Sequence, residues 1–225
     1  MQTPRWMKEN WLQVAILAAP FFVIVPAWPR FPDRIAVHWG THGLPNGWAD
    51  KTQGLLMCPM LSIGLALFLG WIPRLDPRLR KNPEANRRST AVIRLASTAL
   101  VSGGGVVIAL EALGHHLNIP ALAVNGMLLF LLILGNYMGT IPPNYFIGVR
   151  TPWTLAHDDI WRATHRSCGR IMVVGTLVLL VLQIVTTPDQ FFGCFVIFLA
   201  VSVGWPVFYS FSLSRNLGPP DPGER

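Results

Sequence analysis

Charge is scarce in this chain: Asp, Glu, Lys and Arg together make up 13% of its 225 residues, about half the share in an ordinary soluble domain. Acidic side chains are the rarer kind, 11 against 18 Lys and Arg, for a net charge of +7. A basic balance points to nucleic acid or to a membrane surface. The apolar runs decide between them, being too long and too free of charge for the core helices of a soluble protein. Direct nucleic-acid binding is therefore not expected. Cysteine is also sparse, and Cys58, Cys168 and Cys194 have no CxxC spacing, which removes a zinc knuckle or dithiol redox motif. Strict alternation is missing from the apolar runs, which excludes a transmembrane β-barrel.

What is present is six apolar stretches: Trp11–Trp28, Leu55–Ile72, Ala91–Leu113, Ala121–Met138, Ile171–Thr186 and Phe191–Leu213. Each is close to the ~20 residues that cross ~30 Å of hydrocarbon as a helix. The expected fold is an all-α integral membrane protein. It is a six-transmembrane-helix bundle with an ordered extracytoplasmic loop after helix 1 and a cytoplasmic interfacial helix before helix 5. Residues 1–90 form a two-span region with an outer loop, 29–54, and a basic loop, 73–90. Residues 91–225 form a four-span region with a loop at 140–170. Lys and Arg in alternate loops number fifteen on one side and three on the other. The positive-inside rule places both termini in the cytoplasm. Span one stays uncleaved, because Pro20 and Pro26 interrupt it and it outruns a signal-peptide core of ~7–15 residues. Trp11, Trp28, Trp71 and Trp205 read as interfacial belts. Gly135/Gly139 and Gly103–Gly105 read as sites of close helix packing.

Two of the connecting loops are too long and too particular to be mere links. In the outer one, Arg34–Trp39 reads as a strand and Pro45-Asn46-Gly47 as a turn. His38, Trp39, Trp48 and Asp50 are its candidate contact residues. The inner one runs Pro142-Pro143-Asn144-Tyr145-Phe146-Ile147-Gly148-Val149-Arg150-Thr151-Pro152-Trp153-Thr154 and continues through His157, Asp158 and Asp159 to Trp161, Thr164, His165, Cys168 and Gly169. Thr154 would cap a helix from about Leu155, with Asp158 and Asp159 in its first turns. Trp161, Thr164, His165 and Cys168 then share one face by i, i+3, i+4, i+7 spacing. Arginines attracted to anionic lipid explain Arg162, Arg166 and Arg170. They do not explain Asn144, Gly148, Arg150 or the Thr-Pro-Trp-Thr run.

This inner motif resembles the signature of the SdpI family of multi-pass bacterial membrane proteins. The outer motif, Val37-His38-Trp39 with Gly47-Trp48 and Asp50-Lys51, resembles the domain of unknown function that usually precedes it. Gly40-Thr41-His42 departs from the family's usual Asn after the His-aromatic pair. The resemblance implies an immunity and signalling role: protection from a secreted, membrane-damaging toxin peptide outside, and retention of a transcriptional repressor inside. It implies no cofactor and no catalytic residue. The site residues it carries over are Asn144, Gly148, Arg150, Thr151, Pro152, Trp153, Thr154, Trp161, Thr164 and His165.

A second reading is a membrane enzyme or binding protein acting on a lipid or lipid-linked anion, with Arg150 as anion fork and His165 as acid–base group. A long-shot metal site would use Glu111, His115 and His116, although their spacing is not HExxH. Transport has little support. The charges inside the spans, Arg94 and Glu111, lie near helix ends, and no inverted repeat is evident.

Overall fold

The computed structural model describes residues 5–81 and 83–215. Its elements are α1 (Arg5–Ala27), a 3-10 turn (Trp28–Arg30), β1 (Arg34–Trp39), β2 (Pro45–Asp50), α2 (Lys51–Leu75), α3 (Pro77–Lys81), α4 (Pro83–Ala112), α5 (Ile119–Met138), α6 (Pro152–Ala156), α7 (Asp158–Val185) and α8 (Pro188–Ser214). Six of the helices are long and apolar enough to cross a membrane. The protein is a multi-pass helical membrane protein. Trp11, Trp28, Trp71 and Trp205 all stay exposed, Trp28 just past the end of α1 and Trp71 near the end of α2, whereas Trp205 lies inside α8.

The chain divides into two compact units: residues 1–69 with 94–130, and residues 70–93 with 131–225. In the first, Ile24, Ala27, Phe31, Ile35, Leu55, Ile108 and Ala109 form a buried core that seats the hairpin on the helix ends. Gly54 makes this possible: a Cβ there would lie 2.6 Å from that of Ile35. Polar side chains join the helices lower down. The Gln13 amide donates to Thr98 Oγ1 at 2.9 Å, Ser62 donates to the Thr98 carbonyl, and Ser102 donates to the Ile16 carbonyl. Such bonds hold helices together where lipid offers no competing partner.

The strand at Arg34–Trp39 forms as the sequence suggests, paired antiparallel with β2. The turn does not fall at Pro45-Asn46-Gly47, which lie inside β2. It falls at Gly40–Leu44, where Gly43 has φ +79° and Gly40 N–H donates to the Leu44 carbonyl. Gly47 serves the cross-strand approach instead, since a Cβ there would sit 2.9 Å from that of His38.

In the second unit α5 and α7 meet through glycine. A Cβ on Gly135 would lie 2.7 Å from that of Met172, and one on Gly169 would lie 2.6 Å from the Gly135 carbonyl oxygen. The Gly135/Gly139 pair thus packs closely, and so does Gly105 against Cys58 and Pro59 in the first unit, whereas Gly103 and Gly104 face open space. α8 opens with a reciprocal cap between Thr187 and Gln190, the pairing that satisfies two orphan N–H groups at a helix start. All three cysteines are free thiols.

Candidate functional site

The inner motif folds as a bonded loop between α5 and α7, and Asn144 organises its first half. Buried to 1% exposure, its side-chain oxygen accepts from the N–H groups of Phe146 (2.8 Å) and Ile147 (2.6 Å). Its amide donates to the carbonyls of Pro142 and Ile147, both at 2.9 Å. One side chain thereby supplies the donors and acceptors that a sheet or helix would otherwise give this backbone.

That turn ends at Gly148, with φ +114°. The next N–H, of Val149, donates to Nε2 of His165 at 3.0 Å. His165 Nδ1 lies 2.9 Å from the Trp161 carbonyl. A carbonyl only accepts, so Nδ1 carries the proton and Nε2 is the acceptor. The ring is neutral, fully buried, and has both nitrogens engaged with backbone. It has no nitrogen left for acid–base work. Trp161 stacks on it with centroids 4.0 Å apart, and donates from its indole to the Ile141 carbonyl at 2.9 Å.

The second half is a short helix rather than the expected continuous one. Thr151, not Thr154, is its N-cap: Thr151 Oγ1 accepts from the Thr154 N–H, and Thr154 Oγ1 accepts from the Thr151 N–H. Pro152 takes the first helical position, where its missing N–H costs nothing. The Thr154 hydroxyl is 2.8 Å from the Val149 carbonyl. Thr151 Oγ1 lies 3.1 Å from Ser210 Oγ, and Trp153 rests on Phe211 at 5.1 Å, so α6 is moored to α8. The long helix expected from about Leu155 starts at Asp158, after an extended His157. Trp161, Thr164, His165 and Cys168 all point into the protein, as their spacing implies. Thr164 Oγ1 is buried without a hydrogen-bond partner among the described residues.

Two residues outside the sequence reading, Asp76 and Arg78, complete the arrangement. Asp76, fully buried, accepts on one carboxylate oxygen from the N–H groups of Arg78 and Leu79, and on the other from Tyr145 N–H at 2.6 Å. Arg78 donates to the Leu155 carbonyl at 2.9 Å, lies 4.9 Å over the Tyr145 ring and approaches Asp158 at 3.5 Å. Arg150, exposed, donates from Nη1 to the Tyr145 carbonyl at 2.9 Å. Tyr145 is thus gripped at its N–H, its ring and its carbonyl. Hydrogen bonds to a charged group contribute ~1.5–3 kcal/mol each, which makes Asp76 a major anchor of the loop. Its signal in the sequence was Asp76-Pro77, a capping residue before a first-position proline.

Of the signature residues, Asn144, Thr151, Thr154, Trp161, Thr164 and His165 are therefore buried scaffold. Arg150 is the one charged member, presented at the surface with most of its donors unused among the described residues. The outer-loop residues lie in the other unit. His38, Trp48 and Asp50 are exposed there, Trp39 packs against the core, and His38 Nδ1 bonds Asn46. The Glu111/His115/His116 grouping does not assemble as a ligand set. Glu111 accepts from the Leu117 N–H at 2.7 Å, and among the described residues no three His, Cys, Asp or Glu side chains converge as metal ligands.

Residues 140–210 match the SdpI/YfhL protein family, and residues 15–63 match a domain of unknown function (DUF1648). The chain is 25% identical over 185 residues to the protein named immunity protein SdpI of Bacillus subtilis (strain 168), covering 80% of this chain and 84% of that one. No solved structure matches. These matches bear out the resemblance carried by the two loops.

Proposed function

We propose that this protein is a bacterial immunity protein that protects its cell from a secreted, membrane-active toxin peptide. The observation that carries the reading is the alignment with an immunity protein across most of both chains. The loop charges support an inner-membrane orientation with both termini in the cytoplasm. In that orientation the hairpin faces the toxin, offering Trp48 at 52% exposure beside exposed His38 and Asp50. The signature loop faces the cytoplasm and presents Arg150 on a braced frame, a planar donor fork for an acidic partner such as a membrane-retained repressor.

The test is a survival assay. Cells sensitive to a panel of membrane-active peptides would express the protein, its Arg150→Ala variant or its Trp48→Ala variant at matched membrane levels. Selective protection against one peptide, reduced at least tenfold by Trp48→Ala, is expected. Loss of signalling without loss of protection in Arg150→Ala would assign the inner loop to the relay. A wild type that protects against no peptide on the panel would sink the immunity reading for that panel.

A further inference from the structure

α7 and α8 pack along their length, with Phe198 lying against the bare backbone of Gly175, where a Cβ would collide with its ring. Beside that contact runs an open groove of about 540 Å³, within the size range of small-molecule sites. Its walls are the row Arg170, Val174, Val178 and Leu182 on α7, and Ile197 and Val201 on α8. The α7 residues are spaced i, i+4, so they form a single ridge. Arg170 is the one charged residue of the lining. It is exposed, at the end nearest the signature loop, and makes no hydrogen bond or ion pair among the described residues.

We propose that this groove holds one anionic phospholipid, its phosphate on Arg170 and an acyl chain along Val174, Val178 and Leu182. Length favours this occupant. The twelve helical steps from Arg170 to Leu182 rise ~18 Å, close to the ~15 Å of one leaflet's hydrocarbon. Charge favours it as well, because the cation stands only at the headgroup end. A transmembrane helix from a second copy would need an apolar seam across both leaflets, and this groove covers one. The assignment does not depend on the immunity reading.

The test is native mass spectrometry of the full chain in mild detergent. The probes are dioleoyl phosphatidylglycerol, dioleoyl phosphatidylcholine and glycerol phosphate. One phosphatidylglycerol should be retained, more tightly than phosphatidylcholine, with glycerol phosphate not retained. Arg170→Gln should weaken phosphatidylglycerol retention about fivefold, as expected for one lost cation at the lipid surface, and Arg170→Lys should restore most of it. Val174→Trp, at a site 60% exposed and so tolerant of a larger side chain, should displace both lipids. Wild-type retention in both Arg170→Gln and Val174→Trp would overturn the proposal. So would glycerol phosphate binding as well as the lipid, or a dimer that Val174→Trp abolishes while lipid retention is unchanged.

Discussion

Gly148 lies against the imidazole edge of His165, so that a single Cβ added to the glycine would occupy the space of Nε2. That nitrogen accepts the Val149 N–H. The glycine's left-handed φ of +114° aims this N–H, and the histidine's buried neutral ring receives it. The two residues act as one joint, seventeen positions apart in the chain.

Gly148→Ala breaks this joint in two ways, by backbone strain of ~1–3 kcal/mol and by collision with the ring. We expect a loss of about 2 kcal/mol or more in thermal unfolding of the detergent-solubilised protein. Gly148→Ala combined with His165→Ala should cost less than the two single losses added together, because the clash is then gone. Strict additivity would mean that the two residues do not meet.

Asp76→Asn keeps the shape of the anchor and removes its charge, and it turns one acceptor into a donor facing backbone N–H. A loss on the order of 1–3 kcal/mol is expected. Trypsin should then cut after Arg150 severalfold faster in solubilised protein than in wild type. Unchanged cleavage would show that the Asp76–Tyr145 bond does not hold the loop.

Glycines of similar appearance should respond differently. Gly135→Leu must displace Met172 and the backbone of α7 and should cost ~1–3 kcal/mol or more. Gly103→Leu, with nothing within 4 Å of its Cβ, should stay within about 0.5 kcal/mol of wild type. Melting temperatures of the two variants decide the matter, and equal losses would contradict the packing described.

Sidedness can be read by labelling. In a background with Cys58, Cys168 and Cys194 replaced by serine, Trp48→Cys should react with a membrane-impermeant maleimide in intact cells. Tyr145→Cys, in a residue 43% exposed, should react only after the membrane is opened. The reverse pattern would invert the orientation derived from the loop charges.

The sequence by itself determined the six crossings, the strand at Arg34–Trp39, the buried face of Trp161, Thr164, His165 and Cys168, and the importance of the loop at 140–170. These are properties of local pattern: hydropathy over ~20 residues, alternation over six, and helical spacing over eight. The position of the hairpin turn was not local. Gly47 looked like a turn residue, but its lack of a Cβ is used across the strands, against His38. The role of His165 was not local either. A histidine in a basic, aromatic loop reads as an acid–base group until both ring nitrogens are seen bonded to backbone. Asp76 lies 69 positions before Tyr145, and no spacing rule spans that gap. Only the tertiary structure decides such pairs, because a buried polar group must find its partner wherever folding brings one within ~3 Å.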